Sequence, residues 1–244
     1  MPRTAAVLVI GNEILTGKIQ DLNVAFIAQE LFALGVSLRR VIVCPDEVDV
    51  IARDLDALRH SHDVVFTTGG VGPTHDDVTI AGVAAAFGRP VVRDPRMEAM
   101  LRAHYKERLG PGHLRMADIP EGAALLSTPE VPWPTVNLEN VYIFPGVPEL
   151  VRLKFPQLRE RLREGAGFVS RALYTTCDEG DIAALLDAVV AAFPDVSLGS
   201  YPQWREPRYR TKLTVDGRDP ARVEAAIAQL REGIGAEKIV APPA

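Results

Sequence analysis

Two adjacent carboxylates, Asp76 and Asp77, follow a turn in which Gly69, Gly70 and Gly72 fall within four positions and Pro73 closes the group. Glycines let backbone N–H groups approach an anion closely, and a helix start just beyond adds partial positive charge. Carboxylates beside a phosphate repel it unless a divalent cation stands between them. The combination therefore points to a metal-bridged phosphate site. No Gly-Lys-Ser/Thr ending is present, which excludes a Walker loop. The bland alternative stays open: the glycines form a tight connection, and Asp76 or Asp77 merely caps the next helix.

The elements that must position this group are legible on either side of it. Val64-Val65-Phe66-Thr67-Thr68 is short, apolar and β-branched, the pattern of a buried strand. Ile80, Val83, Ala84 and Phe87 continue at helical spacing after Val78. Upstream, Ala5–Ile10 is a second buried-strand run, ending in Gly11-Asn12-Glu13. Polar groups there sit where the carboxyl ends of parallel strands place ligands. A helix follows with Asp21 as its N-cap and Gly35 past its end, then a strand over Ser37–Val43. Next comes a helix carrying Val48, Ile51, Leu55 and Leu58, for which Asp46 is a candidate N-cap. His60 and His62 lie two apart on one helix, so they face different sides and mark a solvated helix end rather than a metal site. Pro95–Leu109 reads as helical. Val131–Phe144 reads as two strands meeting near Glu139-Asn140, the first placed at a sheet edge by its prolines. Phe155–Gly167 reads as a connecting helix. From Arg171 the order becomes strand, helix, two strands, helix, strand, which is the ferredoxin-like split.

The chain has 244 residues with 27 Lys plus Arg against 32 Asp plus Glu, a net charge of -5. That balance argues against a nucleic-acid partner. Cys44 and Cys177 lie far apart in no metal-binding pattern, and no run is long enough to span a bilayer. A cytoplasmic location, with no membrane partner, is the expectation.

Thr-Thr-Gly-Gly-Val-Gly-Pro-Thr-His-Asp-Asp-Val-Thr, residues 67–79, resembles the signature of the molybdopterin-binding fold shared by MogA, MoaB and the N-terminal domains of CinA and eukaryotic FAD synthase. Ile-Gly-Asn-Glu-Ile-Leu-Thr-Gly at 10–17, the Arg-x-Met-Ala segment from Arg115 and Phe-Pro-Gly-Val-Pro-Glu-Leu at 144–150 are similar to further motifs of the CinA and FAD-synthase type. The resemblance covers nearly the whole chain. It implies a three-layer α/β/α domain with a mostly parallel sheet over 1–168 and a small α+β domain over 169–244.

It also implies a ligand site. The glycine loop would contribute Thr68, Gly69, Gly70, Gly72, Pro73, Thr74 and Thr79. Gly11, Asn12 and Asn23 would face the ligand from the first loops, and Arg115 would supply a cation. Pro145, Gly146 and Pro148 would close over it. Asp77, Asp46 and Glu13 would be the catalytic carboxylates, with a divalent metal, Mg²⁺ or Co²⁺, on Asp76 and Asp77, and K⁺ as a further cation.

The expected activity is metal-dependent hydrolysis of a nucleotide diphosphate such as ADP-ribose or FAD. The alternatives are a molybdopterin-binding or molybdopterin-adenylylating protein, and a non-catalytic nucleotide-binding module. The partner is then a nucleotide or pterin small molecule, and the protein a homo-oligomer, a dimer or a trimer, anchored through exposed Trp133 or Trp204. Neither the amidohydrolase domain of full CinA nor the adenylyltransferase domain of FAD synthase is expected within these residues.

Overall fold

A computed structural model describes residues 3–242, which divide into two compact units after Glu164. The first unit is built on a six-stranded sheet of β1 (Thr4–Ile10), β2 (Ser37–Cys44), β3 (Val64–Thr68), β6 (Ala124–Leu126), β7 (Thr135–Leu138) and β8 (Val141–Phe144). Its spatial order is β2-β1-β3-β8-β7-β6. The first four of these run parallel, and β7 is antiparallel to both its neighbours. Alternate residues of β1 enter opposite cores. Ala6, Leu8 and Ile10 pack with α3 (Val48–Ser61), α4 (Thr79–Ala86) and α5 (Pro95–Tyr105). Ala5, Val7 and Val9 pack with α2 (Asn23–Ala33) and α7 (Pro148–Lys154). A strand covered on both faces has no polar side, which is why it reads as a continuous apolar run. The three-layer α/β/α architecture with a mostly parallel sheet is therefore present.

Short elements finish the unit: α1 (Asn12–Leu15), α6 (Pro111–Arg115), α8 (Arg159–Leu162) and the antiparallel pair β4 (Val91–Arg93) and β5 (Asp118–Pro120). Three expectations are corrected here. The strand after the prolines is internal, since β7 pairs with β6 as well as β8; Pro132 and Pro134 precede the ladder, where a missing N–H costs nothing. The helix from Pro95 stops at Tyr105 because Lys106 adopts a left-handed φ of 49°, and a 3-10 turn follows. The expected connecting helix is one 3-10 turn over Phe155–Leu158 and the single turn of α8, interrupted at Pro156 and ended before Gly165.

In the second unit, β9 (Val169–Thr175), α9 (Glu179–Ala192), β10 (Ser197–Pro202), β11 (Thr211–Gly217), α10 (Pro220–Ile234) and β12 (Ile239–Val240) follow the order read from the sequence. The sheet order β10-β11-β9-β12 is antiparallel throughout, and Leu213, Val215, Val223 and Leu230 lie in its core. Asp219 caps α10 by accepting from the Ala221 amide at 2.9 Å, with Pro220 at the first helical position.

Candidate functional site

The carboxyl ends of β1, β3 and β8 converge on a cavity of about 810 Å³, within the range of small-molecule sites. The turn after β3 is held by its backbone. Gly69 has φ +99°, and a β-carbon there would stand 2.1 Å from the Ile10 carbonyl oxygen, so only glycine lets this strand end meet the end of β1. The Gly69 amide donates to the Phe144 carbonyl at 3.2 Å. The Thr79 hydroxyl, fully buried, donates to the Gly69 carbonyl at 2.8 Å, and the Thr79 amide to the Gly70 carbonyl at 3.0 Å. Among the described residues, the amides of Gly70, Val71 and Gly72 donate to no protein acceptor, which leaves three consecutive N–H groups beside the cavity.

Asp77 lines the cavity, and its Oδ2 accepts from the Thr74 amide at 2.8 Å and the Thr74 hydroxyl at 2.5 Å. The same hydroxyl lies 2.5 Å from Asp76 Oδ1, so the two carboxylates compete for its one proton. That hydrogen bond holds the Asp76 carboxyl below its usual range. Asp76 itself is exposed and outside the cavity lining. Gly72 lies directly under Asp77: a β-carbon there would come within 2.7 Å of Oδ2. The helix start gives Asp77 no capping role, since α4 begins at Thr79 without a side-chain cap.

Other expected residues divide between wall and support. Glu13, Asn23, Thr68, Gly69, Gly70 and Gly72 line the cavity, and so do Arg115, Pro145, Gly146 and Pro148. Gly11, Asn12, Asp46, Pro73, Thr74 and Thr79 do not. Asp46 is neither the N-cap of α3, which is Glu47, nor a cavity group. Its Oδ2 accepts from the Asn12 amide at 2.8 Å and so ties the loop after β2 to the loop after β1. Thr79 acts through the loop it pins rather than by facing the ligand. Trp133, expected as an exposed interface anchor, is half-buried and forms part of the cavity wall, while Trp204 is 91% exposed.

Two buried polar atoms at the cavity lack partners. Asn23 donates through Nδ2 to the Gly146 carbonyl at 2.9 Å but leaves Oδ1 unpaired, and the Thr68 hydroxyl is unpaired. Unsatisfied buried groups are costly, so both atoms await a ligand or water. Arg115 is exposed at the cavity and forms no ion pair among the described residues, whereas Asp118 nearby is paired with Arg93 at 2.8 Å.

Sequence reading missed Lys154, buried at the end of α7 and on the cavity wall. It also missed the apolar side formed by Ile80, Met97, Met116 and Ile119. A lysine at the end of an amphipathic helix carries no signal of burial. The apolar residues carry one only as core. Cys44 plays no part: burial, reinforced by Asp54 and Asp46, pushes its thiol up to about 12, so it stays protonated.

Among the described residues no group of three His, Cys, Asp or Glu side chains forms a preassembled metal cage. Asp77 with Asp76 beside it fits the other mode of Mg²⁺ binding, in which one or two carboxylates hold the ion and ligand phosphates complete its shell.

Comparison with known proteins bears on this geometry. Residues 6–164 match the family described as a probable molybdopterin binding domain, and residues 167–243 match the FAD synthase middle domain. A probable FAD synthase of Caenorhabditis elegans is 34% identical over 94% of this chain and 50% of its own length. A CinA-like protein of Frankia casuarinae is 31% identical over 92% of this chain and 56% of its own. The chain thus spans about half the length of these two relatives. The crystal structure of CinA from Thermoplasma acidophilum, described as a protein of unknown function, superposes with a TM-score of 0.61 at 31% identity. It covers 66% of this chain and 100% of that one.

Proposed function

The chain belongs to the molybdopterin-binding domain family as a CinA-like member followed by an FAD-synthase-type middle domain, and on that premise we propose that it hydrolyses the diphosphate of a nucleotide such as ADP-ribose or FAD. The observation that carries the reading is the meeting, in one cavity, of three uncommitted amides, the Asp77 carboxylate and the unpaired Arg115 cation. Backbone N–H groups and a guanidinium are suited to non-bridging phosphoryl oxygens. The apolar side at Ile80, Met97, Met116 and Ile119 suits the flat ring of a nucleotide.

In this reaction water adds to one phosphorus, the P–O–P bridge breaks, and the leaving phosphate departs with the bridging oxygen. ADP-ribose yields AMP and ribose 5-phosphate; FAD yields AMP and FMN. Within the chain, the Gly70–Gly72 amides hold the phosphoryl oxygens, and Thr74 orients Asp77 through its amide and hydroxyl. Glu13 lines the same cavity with its carboxylate folded over Gly11, and serves as the proton acceptor for an attacking water. A divalent cation held by Asp77, with Asp76 beside it, would neutralise charge on the diphosphate.

The family match favours a second reading, molybdopterin binding or adenylylation at the same loop. One panel separates the two: ADP-ribose, FAD, NAD⁺, and molybdopterin with ATP, each with Mg²⁺ or Co²⁺. Hydrolysis of a dinucleotide that EDTA abolishes supports the first reading. Adenylylated pterin with no dinucleotide hydrolysis replaces it with the second, and no turnover in any arm leaves a binding module.

A further inference from the structure

Lys154 is 4% exposed and lines the cavity, yet among the described residues no carboxylate pairs with it. Its Nζ donates to the carbonyls of Trp133 at 2.7 Å and Pro134 at 2.6 Å. These two bonds occupy two of its three protons and tether the turn that leads into β7. A tether alone does not require a charge, because a neutral donor can also satisfy a carbonyl, though less strongly. Burying an ammonium without a counter-charge is expensive, and the protein bears that cost at a cavity wall.

The surroundings say what the charge is for. Pro134 immediately precedes β7, whose Val136 lies opposite Ile143, so Nζ sits by the end of β8 where the Pro145-Gly146 loop departs. On the other side of β8, Thr68 lies in register with Phe144 and carries a buried hydroxyl without a partner. Thr68 continues the alternation of Phe66, which packs with α2 and α7, the helix that ends in Lys154. A cation with a spare proton and an orphan hydroxyl therefore share one side of the sheet edge, about two strand spacings apart, roughly 10 Å. Arg115, in α6, approaches from the opposite side with Met116 and Ile119.

We propose that Lys154 is an anion-binding residue of the cavity, donating to a phosphoryl oxygen of the ligand, with the Thr68 hydroxyl on the same side of the sheet open to a different group of that ligand, while Arg115 serves the other side of the glycine loop. The inference rests on the reading of the cavity as a diphosphate site and adds a second cationic anchor to it.

The test is titration of the protein with inorganic pyrophosphate, without metal and without turnover, followed by calorimetry. Loss of one charge-assisted hydrogen bond predicts affinity weakened about 10-fold or more in Lys154→Met and Lys154→Gln, with Lys154→Arg within about threefold of wild type. Gln keeps a donor for the Pro134 carbonyl but no charge. Affinity that follows the charge across the three variants supports the proposal. Affinity retained in Gln but lost in Arg assigns Lys154 to the tether alone and overturns it, as does wild-type affinity in Met and Gln or the absence of pyrophosphate binding by wild type. Should wild type bind pyrophosphate through Lys154 but hydrolyse no dinucleotide, the hydrolase reading fails and this one stands. Should it hydrolyse one while Met and Gln variants bind as wild type, the reverse holds.

Discussion

At Asp77 one substitution distinguishes the proposed role in turnover from a role in stability. The Asp77 Oδ2 accepts from the Thr74 amide and shares the Thr74 hydroxyl proton with Asp76, and an asparagine oxygen can accept the same amide. Asp77→Asn should therefore melt within about 1 kcal/mol of wild type. Dinucleotide turnover should fall roughly 10²-fold or more if the carboxylate acts on the reacting phosphate. Full turnover in this variant removes Asp77 from the mechanism. Lys154 makes a different prediction. Burial lowers its pKa from 10.5 to about 8, so between those values the unfolded chain binds the proton that the folded chain has released. Stability contributed by this residue then rises with pH through that window. Melting curves from pH 7.5 to 10 should show wild type gaining on Lys154→Met; a difference that stays constant with pH refutes it.

The loop between β3 and α4 depends on contacts that lie outside its own sequence. Thr79 bonds the Gly69 carbonyl from the first residue of α4. Thr79→Val keeps the shape but leaves that buried acceptor unpaired, and should cost about 1–3 kcal/mol in denaturant unfolding. It should also weaken ligand binding, because the free amides of Gly70–Gly72 lose their fixed orientation. At Gly69 a methyl group meets the Ile10 carbonyl and the φ is left-handed. Gly69→Ala should cost more than Thr79→Val and shift the β1–β3 junction, read as loss of solubility or a markedly lower melting point. Equal melting points for the two variants would show that the junction has room to relax. The same dependence explains Asp46: as a residue before a helix it reads as a cap, whereas folding hands its carboxylate to the Asn12 amide in another loop.

At the scale of the whole chain, the unit beginning at Gly165 carries its own core, including Leu173, Ile182, Leu213, Val215 and Leu230, and its own four-stranded sheet. Residues 165–244 produced alone should unfold cooperatively with a dispersed amide spectrum, and a molten spectrum would show that the first unit is required. Trp204 remains the exposed aromatic candidate for an interface now that Trp133 belongs to the cavity. Homo-oligomerisation stays a proposal, and light scattering at micromolar concentration decides it: dimer or trimer mass supports it, monomer mass rejects it. Among the described residues no helix is long and apolar enough to cross a membrane.

The sequence by itself determined what is local. β1 and β3 appear as apolar runs because both faces are covered, Gly35 and Asp219 mark helix ends through their own backbone and side-chain preferences, and the glycines at 69, 70 and 72 mark the irregular turn that ends β3. The split order of the second unit is legible for the same reason, since each strand and helix there has its own period. Tertiary structure decided what depends on the neighbour across space. It placed Asp77 at the cavity and Asp76 outside it, gave Asp46 to Asn12, turned Thr79 into the pin of the loop, and moved β7 from the edge to the interior. It also buried Lys154 beside the Trp133–Pro134 turn, twenty residues away along the chain. Periodicity reports which way a residue faces on its own element, whereas burial of a charge depends on which second element covers it, and that information is held in the packing.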